Sequence, residues 1–480
     1  MSRLLPLFLM SLTLGVPAAH AQEAPPAKSP TFLPKLEASI KVALKQKGLA
    51  KSKVAVHVVD LKDGAVLYAH NADTPMNPAS NMKLVTSAAV LDAFGPSRTF
   101  TTRVIAQKVT GSKVTGQLTL QGGGDPSLGW QHMLAWAHAI KLRGITQVDA
   151  DIVVDAGLFD AQDLPPAYEQ KQQDGSYRAP VGALTVAYNA TGVVVSPGEA
   201  CKPARVRLSP DNDYVQVENT TETVAGRGSS IRVKAVSEQG RTVIKVSGRV
   251  GQQAATRTWR KRIDDPALHA GHVFAKALKA VGIAHKGKVR RGELAKGEVL
   301  VAHASSDTAR LVGLMNKWSN NVIAEQLFKL LGSTSGAAAT FDAARKRVEG
   351  FLTRSKISPK GLTIYNGSGL FDGNLISAAQ LTALLRVMHT HKNAPEYKAS
   401  LAIGGVDGTL GKRFKSPQTR GNLRAKTGTL NEVSALSGYV KTAGGRDVAF
   451  SIMLNDTPTY ASRLRGEQDK IAQIIAESKE

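Results

Sequence analysis

Ser80 is followed three residues later by Lys83. A serine hydroxyl is a poor nucleophile until a base takes its proton. On a helix, positions i and i+3 share a face, so the Lys83 amine can reach Ser80 Oγ. Burial and neighbouring cations lower a lysine pKa far enough for the amine to serve as that base. Ser80 is the only serine in the chain with lysine at this spacing. The spacing alone is weak, because an exposed Ser and Lys on one helix face give the same pattern.

Two further clusters carry chemistry. In Ser319-Asn320-Asn321, Ser319 could shuttle a proton and Asn321 could hold a substrate amide; alone, the cluster reads as a helix N-cap. In Lys426-Thr427-Gly428, Lys and Thr on an edge strand can hold a substrate carboxylate, and Gly lets a substrate backbone approach; alone, it reads as a tight turn. In this order the three form the set Ser-x-x-Lys, Ser-x-Asn, Lys-Thr-Gly, which is far more specific than its parts.

These residues need elements to position them. Ser80–Phe94 reads as a helix closed by Gly95-Pro96, and Ser319 falls between the helical runs Thr308–Lys317 and Ile323–Leu331. Lys426 opens a C-terminal β region with runs at Val433–Lys441 and Arg446–Leu454, before a last helix near Leu464–Ser478. Towards the N-terminus, Leu36, Ile40 and Leu44 mark a helix stopped by Gly48, and Val54, Val56 and Val58 open a hairpin through Lys62-Asp63-Gly64. Two strand-like runs lie between Thr101 and Gln121, then a helix over Leu128–Leu142 and a short strand at Ile152–Val154. From about residue 165 to 265, short β runs alternate with Gly, Asn, Ser and Asp turns and helical periodicity is weak, which predicts a small all-β module. Helices resume at Asp265-Pro266, a cap followed by proline, and include Ala339–Arg354.

With 480 residues there is room for two to four domains at roughly 150 residues each. Hydrophobic residues at 42% and charged residues at 21% exclude global disorder and a polytopic membrane protein. Cys201 is the only cysteine, so no intramolecular disulfide, Cys-rich zinc site or iron–sulfur cluster can form. The net charge of +24 points to an anionic partner. Residues 1–21 read as a secretory signal: Arg3, the apolar run Leu4–Val16, then Ala19-His20-Ala21 at the cleavage site. Export makes nucleic acid an unsuitable partner and leaves an anionic wall or membrane surface.

At this point the chain resembles the penicillin-binding proteins and serine β-lactamases. The long stretch between Ser80 and Ser319, containing the β module, is similar to the class C low-molecular-mass penicillin-binding proteins, the D-alanyl-D-alanine carboxypeptidase/endopeptidase family. Gly124-Asp125-Pro126-Ser127-Leu128, Ala179-Pro180-Val181-Gly182-Ala183-Leu184, Gly367-Ser368-Gly369-Leu370, Asn374-Leu375-Ile376 and Gly405-Val406-Asp407-Gly408-Thr409-Leu410 are similar too. The resemblance implies an α/β (α+β) fold: a penicillin-binding-protein/β-lactamase-like helix–sheet transpeptidase domain with large inserted domains, one mainly β. The expected division is signal 1–21, Pro-rich tether 22–35, catalytic domain 36–104 with 300–480, inserted α/β domain 105–164 with 266–299, and inner β-rich domain 165–265.

The resemblance further implies an exported, periplasmic serine hydrolase that cuts peptidoglycan peptide stems and cross-links through an acyl-enzyme, takes β-lactams as covalent inhibitors and requires no metal or cofactor. Ser80, Lys83, Ser319 and Asn321 are then the catalytic set, and Lys426, Thr427, Gly428 and Thr429 bind substrate. The backbone N–H groups of Ser80 and Thr429 form the oxyanion hole in this reading. Asp155 and Phe159 match positions that, in some relatives, hold the free end of a diaminopimelate side chain. The chain departs from the family pattern with Asn366 for Asp, Asp372 for Arg and Asn431 for Gln. The alternatives are a β-lactamase or esterase of the same fold, and an idle wall-binding or β-lactam-sensing protein. Weaker signals are Gly122-Gly123-Gly124, His389-Thr390-His391 as a metal pair, and the solvated basic runs Arg257–Arg262 and Lys286–Arg291.

Overall fold

A computed structural model of the chain describes residues 33–333 and 337–480; the expected signal and most of the expected tether lie outside them. The first helix, Pro34–Leu44, starts inside the tether's last residues.

The central layer is a six-stranded antiparallel sheet in the order Ala402–Ile403, Arg424–Thr429, Ser434–Lys441, Asp447–Asn455, Lys53–Asp60, Val66–His70. Successive side chains of a strand point to opposite faces, and here both faces are covered. In Lys53–Asp60, Val54, Val56 and Val58 enter a core with the helices Pro34–Leu44 and Arg465–Glu477. Ala55 and Val59 enter the other core, with Met82–Phe94, Thr308–Trp318, Asn321–Leu331, Phe341–Arg354 and Ala378–Thr390.

Within that second core, Met82–Phe94 is buried from Met82 through Leu91. A helix apolar on every side belongs inside a bundle, and this one carries Lys83 in with it.

A second sheet has a core of its own. Its order is Ala284–His285, Gln147–Asp155, Lys113–Gln121, Thr101–Thr110, Glu298–Ala304, with Val289–Arg291 also pairing to Gln147–Asp155. The helices Trp130–Leu142 and Pro266–Ala280 cover it through Trp136, Ile140, Phe274 and Ala277. Residues 190–262 fold into two three-stranded sheets around a small core of Val193, Val195, Tyr214, Ile244, Val246 and Ile263. The chain is therefore a mixed helix–sheet protein with several sheets, as its sequence predicts.

Candidate active site

Ser80 does not begin the α-helix as the sequence reading expects. It sits on a 3-10 turn, Ala79–Asn81, and the α-helix starts at Met82. Ala79 holds φ +44°, a conformation that L-residues adopt at a cost and that persists only when neighbours over-determine it. Two glycines make room for the turn. A Cβ on Gly369 would lie 1.8 Å from Ala79 O, and one on Gly428 would lie 2.7 Å from Pro78 O and 3.1 Å from Ser80 N. This explains Gly428 in Lys-Thr-Gly by the approach of the nucleophile turn itself.

Lys83 is fully buried, and its Nζ reaches three oxygens: Ser80 Oγ at 2.9 Å, Asn321 Oδ1 at 2.7 Å and Ser368 O at 2.8 Å. Burial pulls its pKa down to about 7, against the opposing pull of the Glu325 carboxylate. A neutral amine has two N–H donors and one lone pair. The amide and backbone oxygens can only accept, so they take the two N–H groups. The third tetrahedral direction, the lone pair, then falls on the one partner that can donate, the Ser80 hydroxyl.

Ser319 terminates Thr308–Trp318 in the left-handed region, φ 55° and ψ 37°. Asn320 then caps the next helix, its Oδ1 accepting from Ile323 N at 3.0 Å, so the N-cap reading is right for Asn320 while Asn321 is free to face Lys83. Lys426 is likewise buried and donates to Ser319 Oγ at 2.9 Å and Thr427 O at 2.7 Å. Burial, then the nearby charge of Lys83, holds its pKa well below the ordinary lysine value. Thr427 Oγ1 donates to Thr409 Oγ1 at 3.0 Å, which ties the Gly405–Leu410 stretch to the site. Ser80, Lys83 and Asn321 thus form one hydrogen-bonded group and Ser319 and Lys426 a second, and Ser80, Ser319 and Asn321 border the same cleft.

Sequence reasoning assigned Glu325 no role. It is fully buried under the cluster: Oε1 accepts from Ser368 N at 2.7 Å and Oε2 from Gly367 N at 3.0 Å. Tyr168 hydroxyl pairs with Ser368 Oγ at 2.9 Å. Glu325 therefore fixes Ser368, the residue whose carbonyl accepts from Lys83. Burial pushes its carboxyl up, while the two N–H groups and Lys83 pull it back down. The available signal was a carboxylate in a mostly apolar helix, Asn321–Leu331.

Above the cluster lies a cleft of about 430 Å³ bounded by Ser80, Ser319, Asn321, Thr429, Tyr177 and Tyr460. No carboxylate among the described residues lines it. Asp155 and Phe159 are not brought to this cleft. Asp155 ends the strand Gln147–Asp155, accepts from Gly157 N at 3.0 Å and faces a separate hollow with Arg98 and Arg103. Phe159 is buried, its ring 5.1 Å from Lys329 Nζ. The inserted chain returns to the cleft later, through Lys171, Gln173 and Tyr177, on 3-10 turns without periodicity to find them by. Of the departures, Asn431 lines the cleft, whereas Asp372 receives a hydrogen bond from Asn77 Nδ2 at 3.2 Å. His389 and His391 do not pair: His391 meets Asp92 and His389 packs against Tyr439. No group of three or more His, Cys, Asp or Glu among the described residues is placed to hold a metal ion.

A serine whose hydroxyl faces the lone pair of a buried lysine, inside a helix-covered antiparallel sheet, defines a serine acyl-transfer hydrolase. The chain belongs to the D-Ala-D-Ala carboxypeptidase 3 (S13) family, whose model matches residues 36–478. It is 34% identical over 489 residues to a D-alanyl-D-alanine carboxypeptidase of Actinomadura sp. (strain R39), covering 98% of this chain and 89% of that one. Penicillin binding protein 4 (dacB) from Haemophilus influenzae has the same fold, with a TM-score of 0.79 and 22% identity over 92% of this chain and 99% of that one. A second structure of that protein, complexed with a β-lactam, superposes with a TM-score of 0.74 and 22% identity over 91% of this chain and 98% of that one.

Proposed function

We propose that the protein is an exported serine D-alanyl-D-alanine carboxypeptidase, also able to cut cross-links as an endopeptidase, acting on the peptide stems of peptidoglycan. The observation that carries this reading is the set of three contacts at Lys83 Nζ, which leaves a neutral amine one direction for its lone pair, towards Ser80. Ser80 Oγ attacks the D-alanyl carbonyl while its proton passes to Lys83. The tetrahedral oxyanion lies between the N–H groups of Ser80 and Thr429, a stabilisation that can be worth several kcal/mol. Asn321 orients the peptide. Ser319, bonded to Lys426, passes the proton taken up by Lys83 on to the leaving amine as the C–N bond breaks. Lys426 and Thr427 hold the terminal carboxylate of the leaving residue. Water then attacks the ester, a proton passing from it to Ser80 Oγ as the C–O bond breaks, so that the shortened stem leaves as its carboxylic acid and Ser80 is regenerated.

The β-lactamase reading is less well supported, because among the described residues no side-chain carboxylate lines the cleft to activate water against a penicilloyl ester, and Glu325 is engaged by two backbone N–H groups. β-Lactams should therefore acylate Ser80 quickly and leave slowly. Among the described residues no helix is long and apolar enough to cross a membrane. A net charge of +24 supports association with anionic wall or membrane polymers in the periplasm, weakening as salt screens it. We also infer the three-part division expected above, with the strands Thr101–Thr110 and Glu298–Ala304 falling whole in the inserted α/β domain; the separate cores of the central sheet, the second sheet and the β module support it. The test of function is digestion of purified peptidoglycan with product masses. Release of D-alanine by the unmodified protein and not by Ser80→Ala supports the reading, and rapid penicillin turnover without D-alanine release overturns it.

A further inference from the structure

Two hollows meet at the loop 172–178. The catalytic cleft is on one side, and a larger hollow of about 790 Å³ is on the other, towards the β module. Gln173 and Tyr177 line both. The partition between them is a pair of side chains, with the Tyr177 hydroxyl donating to Gln173 Oε1. Tyr177 is 47% exposed.

The loop is tied down on both sides. Asn321 Nδ2 donates to Tyr177 O at 2.9 Å, so the catalytic asparagine holds one end. On the module side, Asp174 accepts from Lys261 Nζ at 2.8 Å on each oxygen and from Ala235 N at 2.9 Å, and its carbonyl accepts from Arg262 N at 3.0 Å. The wall between the hollows is therefore braced by the strands Arg232–Glu238 and Arg257–Arg262, so the module shapes ground next to the catalytic site.

The larger hollow is positive. Lys234, Lys261, Arg262 and Arg178 line it against Asp174 alone. Asp174 neutralises Lys261, Asp264 pairs with Arg262 at 3.0 Å, and Arg178 donates to the carbonyls of Tyr168 and Gln173. Lys234 is exposed and has no carboxylate partner among the described residues. Across the partition, Lys171 lines the cleft, its Nζ 5.5 Å from the Phe371 ring, also without a carboxylate partner among the described residues. Two unneutralised ammonium groups flank the partition, in concave surfaces that concentrate anions.

We propose that this hollow is a distal subsite for the same substrate, and that Lys234 holds a free carboxylate of the peptide stem there, with Lys171 drawing the stem along the cleft side of the partition. The inference rests on the peptidase reading. In a stem joined through the γ-carboxyl of a D-glutamate, the α-carboxylate of that residue is free, two residues before the D-alanine that acylates the serine. An extended chain advances about 3.3 Å per residue, so the carboxylate lies roughly 7–10 Å from the acyl carbon, the reach of an adjoining hollow. An ammonium–carboxylate contact there is a charge-assisted hydrogen bond.

The experiment compares D-alanine release from two pentapeptide stems that differ only in that carboxylate, one free and one amidated. The unmodified protein should prefer the free acid by about tenfold in kcat/KM, the effect of one well-placed charge pair. Lys234→Glu should erase or invert that preference. Lys202→Glu, an exposed charge change in the same module outside the hollow, should keep it. Affinity of the two stems for Ser80→Ala protein, measured by calorimetry, should show the same preference and the same loss without requiring turnover. Equal handling of acid and amide by the unmodified protein, or a preference untouched by Lys234→Glu, overturns the subsite. Failure to release D-alanine from either stem overturns the peptidase reading instead, and the calorimetric preference then decides the subsite alone.

Discussion

The catalytic half and the inner β module use lysine in opposite ways. In the catalytic half Lys83, Lys329 and Lys426 are 0% exposed, and burial lowers the pKa of each. In the module Lys245 stands in solvent between Glu218 at 3.4 Å and Glu238 at 2.7 Å, and those hydrogen bonds raise its pKa. The strands differ in the same sense: Ser434–Lys441 is buried along nearly its whole length, whereas Gln216–Val224 is mostly open. Burial strips a lysine of the water that stabilises its charge and so readies Lys83 to act as a base, whereas a lysine standing in solvent remains a solubilising charge.

That comparison can be broken. Lys83→Ala should slow acylation of Ser80 by a β-lactam about 10³–10⁴-fold, the scale of a lost general base that also leaves two oxygens without a donor. Stopped-flow acylation measures it, and a loss under tenfold would assign the proton to another group. Core truncation should separate the halves by stability. Phe450→Ala, in the doubly covered sheet, should cost about 3–5 kcal/mol. Ile244→Val, in the small module core, should cost about 0.5–1.5 kcal/mol. Denaturant unfolding followed by near-UV circular dichroism reads both, and equal costs would contradict the difference in packing. Lys245→Ala should be the quietest change, leaving the melting temperature and the acylation rate where they are.

The parts of the site legible in the sequence were those whose chemistry is local. Ser80 and Lys83 are one turn apart, and Ser319 and Asn321 straddle a cap, so spacing alone could nominate them. The strands around Val54 and Thr101 and the capped helix after Asp265 were legible for the same reason. Glu325 was not, because its meaning lies in Gly367 and Ser368, 42 and 43 residues on, and in Tyr168, 157 residues back. The cleft wall at Lys171, Gln173 and Tyr177 was not legible, because an aperiodic loop has no register to place its side chains. The helix Ala378–Thr390 and the strand Ala190–Ser196 also went unread, although Ser377 and Gln380 form a capping box in front of the helix.

The central claim is that neutral Lys83 takes the proton of Ser80, and the pH dependence of Ser80 acylation by a β-lactam tests it most directly. A lysine whose pKa is lowered to about 7 is neutral above that pH, so acylation should be complete above it and fall as pH drops through it. Glu325 raises the Lys83 pKa, so Glu325→Gln should carry the acid limb to lower pH. A rate flat across neutral pH, or one that rises as the solution is acidified, with the limb unmoved in Glu325→Gln, would contradict the account.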